Sequence, residues 1–259
     1  MCCRFRSRNS SAKITSALAN PSASASQLTI VSHCGSIALF FGYNALRHAS
    51  DPAHHAPAGG SHGFGHAVQA LGLYFGALTA MLIGTEAGTA DVASGVFRDL
   101  VATGRSRLAL FAVRAPAAIA VTLTINAVAF AVTLGATFLL AGGTATPSAS
   151  LILQSAGWIA LSNVILATLA VGIGSLTGSR SVTLTAVIGW QMVASMLLMN
   201  VTSLGSVRDG LLTASLGQLM PVPGDVGIRV DTGVAILVLA AWLIVPAVAG
   251  AWRTCTRDA

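Results

Sequence analysis

Residues 115–141 read APAAIAVTLTINAVAFAVTLGATFLLA, a stretch without a single Asp, Glu, Lys or Arg. A helix needs about 20 mostly apolar residues to cross the hydrocarbon core of a bilayer. Two further stretches of this kind follow, so that Arg180 is the one charged residue between Ala115 and Val207. These three adjacent runs predict membrane-spanning helices.

The composition of the whole chain has the same character. Of its 259 residues, 54% are hydrophobic and 8% are charged, and the mean hydropathy is +0.77. A soluble domain usually carries about 25% charged residues, which cover its surface. Most of the surface of this chain must therefore face something other than water, which predicts an all-α, polytopic membrane protein.

Six segments are apolar enough for a span. They are residues 28–46, 67–85, 115–141, 151–176, 181–203 and 232–252. The first is the weakest, because it contains Ser32, His33, Ser36 and Asn44. Turn residues at 141–148 and 177–180 separate the third, fourth and fifth spans.

The positions of the basic residues predict the orientation, because cytoplasmic loops carry an excess of Lys and Arg. With the N-terminus in the cytoplasm, eleven basic residues fall on the inner side and three on the outer side, which are Arg47, Arg208 and Arg229. We therefore expect six transmembrane helices with the N-terminus and the C-terminus both cytoplasmic.

The same plan divides the chain into three parts. Residues 1–27 form a basic stretch free of acids, which fits a cytoplasmic tail, a misassigned start or a transit peptide. Residues 28–252 form the six-helix membrane domain, with a cytoplasmic loop at 86–114 and an outer segment at 204–231. Residues 253–259 form a short cytoplasmic tail.

Several chemistries are missing from the sequence. A P-loop needs a glycine-rich loop that ends in Gly-Lys-Ser/Thr, and the only lysine is Lys13. The chain therefore has no nucleotide-hydrolysing site of this kind, and we expect neither enzyme activity nor a cofactor of its own. The six spans carry no Asp, Glu, Lys or Arg, which argues against an ion-coupled transporter. Asn126, Asn163 and Gln191 lie mid-span, where they could line a polar path or form hydrogen bonds between helices.

The histidines form one cluster. All six fall between residues 33 and 66, and five of them lie in the predicted outer loop at 47–66. Clustered imidazoles can bind Zn or Cu. The loop also contains Pro and Gly breakers and no Cys, so we expect a floppy outer loop and no metal site. A metal sensor that uses His54, His55 and His62 stays open as an alternative.

The charges concentrate in residues 84–116, GTEAGTADVASGVFRDLVATGRSRLALFAVRAP, which hold seven of the 22 charged side chains. At 100° per residue, the apolar side chains of 91–102 fill one half of the helical wheel. Gly104 would stop this helix and Ser106 would cap the next. The pattern predicts a short amphipathic helix at 92–102, which either lies on lipid headgroups or docks a cytoplasmic partner.

This segment resembles the connection between the second and third spans of the permease subunits of type-2 ATP-binding-cassette (ABC) transporters. In that family an acid, a Gly, an amphipathic coupling helix, a break and two basic residues follow one another. The matching positions here are Glu86, Gly88, 92–102, Thr103-Gly104, Arg107 and Arg114. The family often has Pro where this chain has Gly104.

The likeness extends over about residues 65–259. The basic C-terminal sequence GAWRTCTRDA (250–259) resembles the ends of bacterial members, and the outer segment 203–225 matches a region where relatives carry short helices. The likeness fails at the N-terminus. Relatives begin with an amphipathic helix that carries Glu and Lys, and this chain has no acid before Asp51.

The resemblance implies a membrane-spanning permease subunit of an ABC exporter in the bacterial plasma membrane. Its partners would be a second permease, as a homodimer or heterodimer, and a separate cytoplasmic ATPase that binds the ATP. The drug, lipid, peptide or polysaccharide precursor that it would carry stays open, and a non-transport membrane scaffold is the alternative.

Three sets of residues receive roles in this hypothesis. Val96, Phe97 and Leu100 would form the apolar contact with the ATPase or the bilayer surface. Arg98, Asp99 and Arg105 would make polar contacts there, and Glu86 and Arg107 would anchor the loop ends. Gly72 and Gly76 form a GxxxG motif for close helix packing, within the subunit or between two permeases.

Overall fold

The chain folds into long helices. The computed structural model describes residues 21–55, 57–95, 104, 106–222 and 229–256, with side chains described from residue 35 onward. The helices are α1 (Pro21–Ser50), α2 (Gly60–Ala93), α3 (Arg107–Leu139), α4 (Ala149–Thr177), α5 (Arg180–Asn200), α6 (Leu212–Gln218) and α7 (Thr232–Thr256), with a 3-10 helix at Thr202–Gly210. A π-helical turn interrupts α2 at Ala70–Tyr74 and α5 at Gly189–Ala194.

Within the described residues, five helices are long and apolar enough to cross a membrane, namely α2, α3, α4, α5 and α7. Each of them coincides with most or all of one predicted span from the second to the sixth, although α3 ends at Leu139 and α5 at Asn200. The helix α1 covers the predicted first span at 28–46 but falls outside this set, in keeping with its polar residues. The helical class is confirmed, and the six-span arrangement stays a prediction.

The helix ends follow ordinary capping chemistry. The hydroxyl of Ser106 accepts a hydrogen bond from the amide of Ala109 at 3.2 Å, which confirms the predicted cap of the third span. Ser148 caps α4 in the same way. Gly178 ends α4 with φ at +66°, a left-handed conformation that glycine adopts without steric strain. The break between α4 and α5 therefore lies in the predicted turn.

The helices α2 and α4 form the centre of the bundle. In their most apolar stretches, 67% and 72% of the residues are buried, compared with 22% to 33% in α3, α5 and α7. Gly72, Gly76, Gly84 and Gly88 repeat along α2 at multiples of four residues and face the bundle interior. Since they lack side chains, the backbones of α2 and α4 come close together.

The surroundings of the glycines show this close approach of α2 and α4 at both ends of the row. A β-carbon built on Gly88 would lie 2.7 Å from the carbonyl oxygen of Val171, and one built on Gly84 would lie 2.5 Å from that of Ala167. At the other end, Gly72 lies against the ring of Trp158. All three of these partners belong to α4, so Gly72 takes part in packing inside the subunit.

The short helix α6 packs among longer helices, at the end of the bundle where α5 ends and α7 begins. Its first five residues are buried. The indole of Trp158 in α4 donates a hydrogen bond to the carbonyl oxygen of Leu216 at 2.8 Å. Trp242 in α7 donates to the carbonyl oxygen of Gly210 at 3.1 Å, just before α6. The predicted outer segment therefore contains short helices anchored by two tryptophans.

The helices extend into two of the predicted loops. The outer loop predicted at 47–66 is shorter, because α1 runs to Ser50 and α2 begins at Gly60. The residues between them are packed: Ala58 is buried, and the amide of Gly59 donates to the carbonyl oxygen of Leu140 at 3.2 Å. Glycines let the chain approach its neighbour closely here, whereas the same Pro and Gly residues, taken as breakers, predicted a floppy loop.

The second extension concerns the predicted loop at 86–114, whose position relative to the membrane stays a prediction. The helix α2 continues to Ala93 and α3 begins at Arg107, so the connection spans only 94–106. The amphipathic helix predicted at 92–102 therefore does not begin at Val92, which lies in the last turn of α2. The helix persists because Gly88 and Thr89 still pack against α4 beyond the apolar stretch.

Candidate functional site

The charged residues of the predicted coupling region meet at one end of the bundle. We call this the basic end and define it by Glu86, Asp91, Arg107, Arg114 and Arg180. The C-terminal ends of α2, α4 and α7 and the N-terminal ends of α3 and α5 come together here through side-chain contacts. Five helices thus surround the two ends of the 94–106 connection.

Arg114 is the centre of these contacts. Its side chain is 6% exposed, and its guanidinium donates to the carboxylate of Asp91 at 2.9 Å. The guanidinium also donates to the hydroxyl of Ser175 in α4 at 3.3 Å, and that hydroxyl donates to the carbonyl oxygen of Gly88 at 3.4 Å. One buried cation therefore ties α3 to α2 and α4, immediately next to the connection.

A second ion pair lies at the surface of the same end. Arg180 at the start of α5 approaches the carboxylate of Glu86 at 3.2 Å, and the two side chains are 63% and 54% exposed. An open cleft of about 460 Å³ separates α2 and α5 here, lined by Glu86, Asp91 and Arg180 with neighbouring small residues. The pair closes one side of the cleft without burying either charge.

The structure distributes the predicted coupling residues in two groups. Glu86 lies within α2 and contacts α5, and Arg107 donates to the carbonyl oxygen of Cys255 in α7 at 3.3 Å. Both therefore flank the connection from within helices. The remaining predicted residues lie outside the described part of the chain, namely Val96, Phe97, Arg98, Asp99, Leu100 and Arg105.

Sequence reasoning gave no role in this site to Asp91, Ser175 or Arg180. The pairing of Asp91 with Arg114 joins residues 23 positions apart on separate helices. The sequence contains one signal, which is that Arg114 lies inside the apolar start of α3. A charged residue in an apolar segment carries a high energetic cost unless it is paired. That signal indicates a partner without identifying it, since Glu86, Asp91 and Asp99 are all nearby in sequence.

The mid-span amides form contacts between helices. The amide nitrogen of Asn126 in α3 lies 3.3 Å from the side-chain oxygen of Asn163 in α4, and both side chains are buried. Gly76 adjoins both amides. Gln191 donates to the hydroxyl of Thr213 in α6 at 3.1 Å. These hydrogen bonds join separate helices, which is the second of the two roles considered for these three residues.

The contact between the two asparagines leads to a stability prediction. We expect Asn126→Leu to lower the free energy of unfolding by about 1 kcal/mol, because the Asn163 amide would lose its partner in α3. The double variant Asn126→Leu/Asn163→Leu should lose less than the sum of the two single variants. Unfolding in mixed detergent measures both. Asn200→Leu is the control, since this exposed side chain bonds only to its own helix among the described residues. Additive losses would contradict a coupled pair.

The identity of the protein cannot be taken from known relatives. Comparison with protein-family models, with curated proteins and with solved structures finds no match.

Proposed function

We propose that the chain is the membrane-spanning permease subunit of an ABC exporter, and that the basic end receives force from a separate cytoplasmic ATPase. The observation that carries this proposal is the buried Arg114, bonded to Asp91 and Ser175 beside the 94–106 connection. The sequence likeness to the coupling region of type-2 permeases supports it. ATP would be bound and hydrolysed by the partner.

Force would spread from the connection in two steps. Both ends of the connection join long helices directly, α2 at Ala93 and α3 at Arg107. Arg114 then links α3 to α2 and α4, and the glycine row keeps the backbones of α2 and α4 in contact over several turns. A push on the connection would therefore move α2, α3 and α4 together. The helix α7 would move with them, because Gly172 in α4 lies against the backbone of Pro246 in α7 and Arg107 in α3 bonds to Cys255 in α7.

The proposed complex contains two permeases and two ATPase subunits in the bacterial plasma membrane. In this arrangement the basic end faces the cytoplasm, the six predicted spans cross the bilayer, and the substrate path runs between the two permeases. Alternating access would follow the nucleotide-driven closure of the ATPases. The partner at the basic end would offer apolar and charged groups to Phe97, Leu100, Arg98 and Asp99.

The experiment that tests this proposal changes Phe97 and Leu100, which the helical wheel predicts to lie on one apolar face. In cells of the native host, Phe97→Asp/Leu100→Asp should abolish co-purification of the ATPase with the permease. Two buried carboxylates would have to lose water in the contact, which is strongly unfavourable. The measurement is quantitative mass spectrometry of the affinity-purified complex.

Val207→Asp is the matched control. It replaces an apolar side chain that is 71% exposed in the 3-10 helix at the opposite end of the bundle. This variant should retain the ATPase at the wild-type level. Retention of the ATPase with unchanged activity in the double variant would disprove the docking role.

The alternative is a membrane scaffold or metal sensor that uses the histidines. Its distinguishing result would be stoichiometric Zn binding that is lost on changing His54, His55 and His62. Among the described residues, no group of three or more His, Cys, Asp or Glu is arranged to hold a metal ion. This alternative gives no role to the buried Arg114 and its bonds to Asp91 and Ser175, so the permease is the function we favour.

A further inference from the structure

The histidines line a cavity at the end of the bundle opposite the basic end. The cavity has a volume of about 320 Å³ and lies between the C-terminal turns of α1, the 51–59 connection and the first turns of α2. Its polar lining residues are Asn44, Arg47, His54, His55, His62 and His66. This lining contains one permanent cation, four imidazoles and no acid.

The contacts inside the cavity hold these groups in place. The guanidinium of Arg47 donates to Nε2 of His55 at 3.2 Å and stacks over the ring of Tyr43 at 5.6 Å. His48 donates from Nδ1 to the carbonyl oxygen of His55 at 2.6 Å, which fixes the connection against α1. The rings of His62 and His66 lie edge to face, with centroids 4.6 Å apart.

Most of the ionisable side chains near the cavity are arginine or histidine, which are cationic when protonated. The elements around it contribute Tyr43, Arg47, His48, Asp51, His54, His55, His62 and His66, and the adjoining 141–148 connection contributes no titratable residue. Asp51 is the single acid, and its carboxylate lies 2.8 Å from Nδ1 of His54. The side of the cavity formed by Arg47, His55 and His62 therefore has no acid beside it among the described residues.

The bond between Arg47 and His55 depends on protonation. A neutral imidazole can accept a hydrogen bond at Nε2, whereas an imidazolium carries donors on both nitrogens. Protonation of His55 would thus place two donors face to face, and both would need an acceptor. An oxyanion between them supplies it with charge-assisted hydrogen bonds. A metal ion, in contrast, would need the lone pair of His55 that Arg47 engages.

We propose that this cavity binds a phosphate group, and that binding strengthens as the histidines become protonated. Phosphate offers several acceptor oxygens, which suit a guanidinium and two or more imidazolium groups arranged around one space. The adjacent face of α1 exposes Leu39, Tyr43 and Leu46, so a lipid headgroup and a free phosphate could both reach the cavity. The site is independent of the proposed transport function.

The test is a titration of the purified full-length chain in detergent with inorganic phosphate, by calorimetry at about pH 5.5 and about pH 8, since histidine changes charge in this range. We expect binding at least about tenfold tighter at the lower pH. His62→Gln should weaken binding about tenfold at the lower pH and leave the higher pH unchanged. Arg47→Gln should weaken it at both values, since arginine stays charged.

Arg229→Gln is the control, because it removes an exposed cation just before α7, at the same end of the bundle and outside the cavity. It should bind phosphate like the wild type. The same size-exclusion profile for every variant shows that all of them are folded. Binding that ignores pH, or that His62→Gln and Arg47→Gln leave unchanged, would refute the phosphate site, and so would the absence of binding at the lower pH.

A second arm distinguishes the sources of the phosphate. The chain is placed in nanodiscs of phosphatidylcholine with or without phosphatidic acid, and the phosphate titration is repeated at the lower pH. If the site takes a lipid headgroup, phosphatidic acid should abolish the binding of inorganic phosphate. If the site takes a free anion, both nanodiscs should bind inorganic phosphate equally.

Discussion

Leucine at Gly88 will separate α2 from α4 and destabilise the bundle by more than about 3 kcal/mol, above the usual range for overpacking. The β-carbon alone would come 2.7 Å from a backbone carbonyl oxygen of Val171 and 3.2 Å from the α-carbon of Gly174. Backbone atoms cannot turn away as a flexible side chain can, so the helices must move apart. Equilibrium unfolding in mixed detergent measures the loss.

Gly84→Leu should behave like Gly88→Leu, because its β-carbon would come 2.8 Å from that of Ala170 as well as close to a carbonyl oxygen. Gly157→Leu is the matched control on α4. No atom lies within 4 Å of a β-carbon built there, and the position is exposed. We expect it to be neutral or slightly stabilising, since leucine is a better helix former than glycine. Equal losses at Gly88 and Gly157 would mean that close packing of α2 on α4 is unimportant.

The helical class and the positions of five long helices could be read from the sequence. A run such as 115–141 leaves the backbone few alternatives, because every amide and carbonyl group in a bilayer needs a partner within the chain and a helix supplies it. The cap at Ser106 was also readable, since its hydroxyl is placed just before an apolar run. Local chemistry is sufficient for features of this kind.

The helix ends were harder to predict. The beginning of α2 at Gly60 is stabilised by contacts with Leu140, which lies 80 residues further along the chain. The hydropathy of residues 47–66 does not indicate that contact. Likewise, α2 continues past Glu86 to Ala93, where α4 still packs on Gly88 and Thr89. Tertiary contacts overrode local hydropathy at both ends of the same helix.

The candidate site could be located but not assembled from sequence. The density of charges pointed to residues 84–116, and Glu86 and Arg107 do lie at the basic end. The choice of Asp91 as the partner of Arg114 depends on how α2 and α3 are rotated about their axes, which a single sequence does not reveal. The mid-span amides are similar, because only the packing decides whether Asn126 meets Asn163.

The second large effect concerns Arg114. We expect Arg114→Met to lower the free energy of unfolding by about 3 kcal/mol, because the charge-assisted hydrogen bonds to Asp91 and Ser175 are lost. Arg180→Gln is the matched control at the same end of the bundle. It breaks the exposed pair with Glu86 and should lower the free energy of unfolding by no more than about 1 kcal/mol. Unfolding in mixed detergent compares the two directly.

Replacing Asp91 and replacing Arg114 should lower the free energy of unfolding by different amounts. Asp91 is 34% exposed and can still reach water when Arg114 is replaced, whereas Arg114 is 6% exposed and cannot when Asp91 is replaced. Asp91→Asn should therefore destabilise the protein more than Arg114→Met. The double variant Arg114→Met/Asp91→Asn should recover part of both losses, because no unpaired charge remains. A smaller loss for Asp91→Asn, or additive losses in the double variant, would mean that the guanidinium is held mainly by other groups, and the link from the connection to α4 would have to be sought elsewhere.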